Sequence, residues 1–178
     1  VDEARFVVPK KAIQELLRTL TDEGHVKVSF SDNRAFFDMG LTTLTTSLIA
    51  GGVPDYTRYM PPEPLISIHL EADRLLSALK RVSILSNESV GGIWLDVDND
   101  VITLSSENPE QDSAIETIMV EDTKEQLNIG FKASYLIDAI QACKSGVVSI
   151  GLIDNKKGAT ITTPADPETV LVVMPMRL

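Results

Sequence analysis

The amino-acid sequence predicts an α+β fold, with amphipathic helices on one face of antiparallel sheets. Three observations carry that expectation. Short apolar runs of strand length alternate with helical patterns. One β-α-β-β-β order recurs three times, with helices starting near 10, 71 and 132, a step of 61 residues each time. An Asp-Asn pair stands in the tight turn of every unit, and both residues tolerate turn conformations.

Each unit opens on a short strand: Arg5–Val8, Ile66–Leu70 and Leu127–Phe131. A helix follows at once. Its apolar stripe is Ile13, Leu16, Leu17 and Leu20 in the first unit, and Leu75, Leu76, Leu79 and Val82 in the second. In the third it is Ala133, Leu136, Ile137, Ile140 and Cys143, again at the i, i+3, i+4, i+7 spacing of a one-sided helix. Three strands then close each unit: Val26–Phe30, Ala35–Met39 and Thr42–Ile49; Gly92–Val97, Val101–Ser105 and Ala114–Val120; Val147–Leu152, Ala159–Thr163 and Val170–Met174. The middle unit carries about five extra residues after its helix, around Ser83–Val90.

One helix covers four strands poorly, so two units are expected to share a sheet-and-helix layer. Units two and three then make one complete domain, residues 62–178. Unit one, residues 1–61, is the second half of another domain. Pro61-Pro62-Glu63-Pro64 reads as a stiff linker between them. This pattern is expected for the C-terminal piece of a longer polypeptide.

The chain has 178 residues, with 16 Lys and Arg, 26 Asp and Glu, and a formal net charge of −10. Taken alone, that charge argues against a nucleic-acid partner. The distribution says something different. The expected helices, Pro9–Leu20, Glu71–Ser83 and Lys132–Lys144, hold eight basic residues, Lys10, Lys11, Arg18, Arg74, Lys80, Arg81, Lys132 and Lys144. They hold four acids, Glu15, Glu71, Asp73 and Asp138, so the helices sum to +4 and the remainder to −14. A basic helical layer over an acidic exterior attracts a polyanion to one side; an ordinary solvated helix face has the same composition.

Catalytic and metal constellations are not visible. Asp96-Val97-Asp98-Asn99-Asp100 with Glu107 mimics a calcium loop, but Val101 stands where Gly is needed and strands flank it, so a β-turn is expected. Cys143 is the single cysteine and lies on an apolar stripe, which makes it a core residue rather than a nucleophile. His25 and His69 have no ligand-spaced companion. No cofactor or metal is expected, and no enzyme. No apolar run approaches a membrane span and no charged-then-apolar leader is visible, so a cytoplasmic protein without a membrane partner is expected. Two apolar segments stand out instead: Gly52–Pro61, with Tyr, Arg, Met and Pro together at a junction, and the C-terminal Val170–Leu178. Each reads either as a partner-binding surface or as chain packed on its neighbour.

Several motifs, in order over essentially the whole chain, resemble one family. They are Pro54-Asp55-Tyr56-Thr57-Arg58, Ile84-Leu85-Ser86-Asn87-Glu88, Asn108-Pro109-Glu110-Gln111, Ile129-Gly130-Phe131 with Ser134-Tyr135, and the terminus Val173-Met174-Pro175-Met176-Arg177-Leu178. Together they resemble the bacterial β sliding clamps, the processivity subunits of DNA polymerase III. The resemblance implies the DNA clamp fold, three domains per full chain, and a homodimeric head-to-tail ring around duplex DNA. It implies a non-catalytic, sequence-independent hold on DNA, with Lys10, Lys11, Arg18, Arg74, Lys80, Arg81 and Lys132 as candidates for the DNA-facing lining.

The same resemblance implies a pocket for short linear motifs of the replicative polymerase, the clamp loader and repair proteins. Its residues here are Pro54, Arg58, Tyr59, Tyr135 and the tail Val172, Val173, Met174, Pro175, Met176, Arg177 and Leu178. Tyr59 stands where the family commonly has a smaller aliphatic residue, which narrows one subsite. Another wall comes from a strand that this chain does not contain, so weak peptide binding is expected without it. Ile84 and Leu85 match an apolar pair at the family's subunit interface, and the edge strand Ser113–Met119 is expected to pair across it. A peptide-binding adaptor that never encircles DNA is the alternative reading.

Overall fold

The computed structural model describes residues 6–52, 55–86, 91–121, 123 and 125–178. It divides into two compact units, Val1–Asp55 and Tyr56–Leu178. Pro54, Arg5 and the Asn87–Val90 part of the expansion lie outside the described residues.

The first unit holds α1 (Lys10–Thr19) and a three-stranded antiparallel sheet, β1 (Lys27–Ser31), β2 (Arg34–Asp38) and β3 (Thr43–Ser47), in that order. Pro9 starts the helix. Its ring fixes an extended-to-helical entry, and its carbonyl accepts from Ala12 N–H at 3.0 Å and Ile13 N–H at 3.3 Å. The buried apolar side chains are few: Ala12, Leu16, Ala35 and Phe37. The expected stripe of α1 is largely uncovered, with Leu17 74% exposed and Ile13 and Leu20 also exposed. Every residue of β1 is exposed.

The strand expected over Arg5–Val8 does not form among its described residues. Only one backbone bond marks it, from Ile49 N–H to the Val7 carbonyl at 2.9 Å. The second unit shows why. There β4 (Ile66–Glu71) precedes α2 (Ala72–Ile84) and leads β5 (Gly92–Asp98), β6 (Val101–Glu107) and β7 (Ser113–Met119). Next come β8 (Gln126–Lys132), α3 (Ala133–Ala142), β9 (Val147–Leu152), β10 (Ala159–Thr163) and β11 (Asp166–Val173). The two sheets run β11-β10-β9-β4 and β7-β6-β5-β8. Each half therefore lends its leading strand to the other: β4 pairs with β9, and β8 with β5. Each leading strand of the second unit thus pairs outside its own half, whereas the described part of the first unit holds a single helix and three strands.

The exchange is matched at the helix starts. Ala72 N–H donates to the Gly146 carbonyl at 3.0 Å, and Ala133 N–H donates to the Gly91 carbonyl at 2.9 Å. Each bond caps an orphan donor of one half with the loop just before a strand of the other half. Both helices cover one side of the sheets, α2 on β4–β7 and α3 on β8 and β11. Between them lies a core from Ile68, Leu75, Leu79, Ile93, Leu95, Ile102, Leu104, Ile129, Phe131, Leu136, Ile140 and Ile150, each almost fully buried. In β4 the strand alternation is strict, with Ile66, Ile68 and Leu70 inward and Ser67, His69 and Glu71 outward. The buried Ser106 hydroxyl donates to the Val82 carbonyl at 2.6 Å, so α2 ends without an unpaired polar group there.

The Asp-Asn turns behave as expected. Asn99 takes φ +49°, the left-handed region that Asn tolerates best after Gly. The Asp154 carboxylate accepts the Lys156 and Lys157 N–H groups at 2.8 Å each. Those backbone bonds hold its carboxyl below the usual carboxylate range. The Asp96–Glu107 segment is accordingly a β5–β6 hairpin. β11 begins at Asp166, four residues before the expected Val170, because Thr163 pairs with Asp166 beyond an irregularity in the β10–β11 register.

Candidate peptide pocket and basic helix faces

The C-terminal tail is the best-defined feature of the outer surface. After β11 ends at Val173, Met174 passes beside Gly158, where a Cβ would stand 3.1 Å from the Met174 sulfur. Met176 N–H donates to the Gly130 carbonyl at 2.8 Å, which ties the tail to β8 at the rim of the other sheet. Leu178 lies against Gly92 of β5 and Gly130 of β8. A cleft of about 380 Å³ continues past it, lined by Trp94, Ser106, Asn108 and Pro109.

The other pocket candidates belong to the same unit. Tyr135 stands in the first turn of α3 and is 57% exposed, with the Lys132 ammonium 5.4 Å from its ring centroid. That contact is a cation–π approach at a half-open site. Arg58 and Tyr59 share a single 3₁₀ turn, Tyr56–Tyr59, and both are exposed. Downstream, Met60–Pro64 line a second apolar cleft of about 310 Å³ with Gly151, Thr160 and Val170. The proline-rich segment thus lies on the outer face of its own sheet, where Leu65 N–H donates to the Leu152 carbonyl at 2.9 Å.

The basic candidates occupy exposed helix positions. Lys10, Lys11 and Arg18 lie on α1, with Arg18 3.3 Å from Glu15. Arg74, Lys80 and Arg81 lie on α2. Arg81 pairs across elements: it grips both carboxylate oxygens of Glu116 on β7 at 2.6 and 3.2 Å. That hydrogen bonding holds the Glu116 carboxyl below its usual range and raises the guanidinium above its own. Lys132, Glu71 and Lys144 fall outside the helices as formed, which leaves six basic and three acidic residues on α1, α2 and α3. Ile84 ends α2 and is 76% exposed, Leu85 is half-buried, and edge strand β7 exposes Ile115 and Met119.

Three participants were not picked out from sequence: Gly92 and Gly130 beneath the tail, and Glu116 opposite Arg81. Gly130 carried a readable signal, since an isolated Gly inside a strand pattern marks a close approach by other backbone. Glu116 carried none, being 35 residues from its partner. Among the described residues, no group of three or more His, Cys, Asp and Glu side chains is placed to hold a metal ion. Among them, no helix is long and apolar enough to cross a membrane.

Residues 57–177 match the family described as DNA polymerase III beta subunit, C-terminal domain, and residues 1–55 match its central domain. The beta sliding clamp of Salmonella typhimurium is 37% identical over 175 residues, 97% of this chain and 47% of the relative. That of Pseudomonas aeruginosa is 34% identical over 178 residues, 99% of this chain and 48% of the relative. The crystal structure of the DNA polymerase III subunit beta from Pseudomonas aeruginosa superposes with a TM-score of 0.90 at 34% identity, covering 100% of this chain and 49% of that one. The chain spans about half the length of the curated relatives it matches. A strand-exchanged α+β repeat, matched along its length by the central and C-terminal domains in tandem, makes this chain a member of the DNA polymerase III beta subunit family, the beta sliding clamps.

Proposed function

We propose that the chain is the C-terminal part of a DNA sliding clamp: the second half of a middle domain followed by a complete C-terminal domain. In the complete homodimeric ring it encircles duplex DNA without reading sequence. It tethers the replicative polymerase, the clamp loader and repair proteins through short linear motifs, and it catalyses nothing itself. The observation that carries this reading is the tandem match to two clamp domains, in order, across almost the whole chain.

The charge distribution supports it. A ring that must slide needs a diffuse positive lining rather than tight, directional contacts. Arg74 and Lys80 on α2, with Lys10, Lys11 and Arg18 on α1, supply exposed cations. Arg81 supplies less, because Glu116 already pairs with it. Lys132 sits over Tyr135 and therefore serves the peptide side as much as the DNA side. Ile84 and Leu85 at the end of α2, with β7, form the subunit interface. The pocket combines Arg58, Tyr59, Tyr135 and the tail to take an aliphatic–aromatic peptide.

Arg74→Ala with Lys80→Ala in the complete ring tests the lining. Each lost phosphate contact lowers the slope of log affinity against log salt by about 1. The double variant is expected to leave DNA faster, with the gap to wild type closing as salt rises. Unchanged retention at low salt would refute the assigned lining.

A further inference from the structure

Gly92 and Gly130 are glycines for want of space, not for backbone conformation. Neither has positive φ, unlike Gly24, Gly40, Gly51 and Gly91. Gly92 opens β5 and Gly130 sits inside β8, where glycine weakens the ladder and offers nothing to pack. What requires them is the tail. A Cβ at Gly130 would stand 2.7 Å from the Met176 carbonyl oxygen, a backbone atom, and 3.1 Å from the Leu178 side chain. A Cβ at Gly92 would overlap the end of the Leu178 side chain.

The pseudo-symmetric half supplies a control within the same molecule. Lys132 and Glu71 close the two leading strands; Gly92 pairs with Lys132, and Val147 pairs with Glu71. Two positions back along those strands, Gly130 pairs with Trp94 and His69 pairs with Ser149. By register, then, Val147 and His69 occupy the places of Gly92 and Gly130 in the half that no tail crosses. The fold accepts side chains at both places; the tail does not.

Leu178 remains 44% exposed, so the tail adds little to the core and its seat is separable from folding. Resting on the peptide-pocket reading above, we propose that Gly92 and Gly130 are positioning residues of that pocket. They hold Met176–Leu178 flat across β8 and β5, which fixes Met174, Pro175 and Arg177 as a rigid wall of the pocket. Preorganised walls bind a short peptide better than mobile ones, because the ordering cost precedes binding.

Trp94, the chain's only tryptophan, lines the same cleft as Leu178 and reports the seat directly. In the 178-residue chain, Gly130→Ala is expected to red-shift Trp94 emission as far as deletion of 176–178 does. Combining the two changes adds nothing. Gly92→Ala shifts it too but adds nothing to Leu178→Ala, which removes the overlapping side chain; Gly130→Ala still displaces the tail in the Leu178→Ala background, because its clash is with backbone. In the complete polypeptide, Gly130→Ala is expected to lower affinity for a fluorescein-labelled aliphatic–aromatic peptide at least tenfold by anisotropy, with the melting of the C-terminal domain unmoved.

Unshifted emission in both glycine variants overturns the seat. Shifted emission with wild-type peptide affinity overturns the positioning role. A seated tail in a wild-type complete polypeptide that binds no such peptide overturns the pocket reading, and the positioning role with it.

Discussion

Cys143 caps the C-terminus of α3, its thiol donating to the Ala139 carbonyl at 3.5 Å and its carbon atoms against the core. Burial first, and the nearby Asp166 charge second, push the thiol's pKa above its ordinary value. Only the thiolate is alkylated, so iodoacetamide at pH 8 is expected to label Cys143 several-fold more slowly than the same cysteine in the urea-unfolded chain. Equal rates would contradict this placement. The sign for Glu116 runs the other way. Its folded pKa is depressed by Arg81, so its contribution is complete above the ordinary carboxylate value and is lost as pH falls through the folded one. Thermal midpoints of wild type should therefore fall more between pH 5 and pH 3 than those of Glu116→Gln. Parallel curves would remove the pair from any role in stability. Arg81 was legible as an exposed helix cation, but its partner was not, because a contact between α2 and β7 leaves no mark on local sequence.

The elements themselves were readable wherever one periodicity ruled the segment. β9 and β10 match their expected limits, and the three helices match to within two residues at each end. The helix stripe of α2 is buried at Leu75, Leu79 and Val82, with Leu76 half-buried against the same core. The stripe of α1 was written equally clearly, yet Ile13, Leu17 and Leu20 remain exposed. Periodicity says which face is apolar, not what covers it. The same reason applies to Phe6–Val8, whose apolar run reads as a strand but which forms none. Leu79→Ala is accordingly expected to cost about 2–5 kcal/mol in this chain. Leu17→Ala should cost within about 0.5 kcal/mol here, and markedly more in a complete polypeptide whose other half covers it. Equal costs for Leu17 in both settings, measured by urea titration, would contradict the shared-domain account.

At the scale of the whole molecule, the two units differ in how far each closes its own core. The second buries a continuous apolar layer between two exchanged sheets and two helices, whereas the first buries Ala12, Leu16, Ala35 and Phe37. Calorimetry of this chain should show two transitions, the first unit melting below the second. Clamp architecture was legible because the repeat, the Asp-Asn turns and the tail motifs are local signals that agree with one another. The layout of the pocket was only partly legible. The tail was identifiable by itself, while its seat on Gly92 and Gly130 depends on two strands of one sheet and a tail arriving from the other. A ring holds DNA by topology, so the complete polypeptide, expressed from its reading frame and loaded by a clamp loader onto nicked circular DNA, is followed by gel filtration before and after the circle is cut. Retention on the circle and rapid loss from the linear product is the predicted result. Equal retention on both forms, or a reading frame with no first half to close the ring, would contradict it.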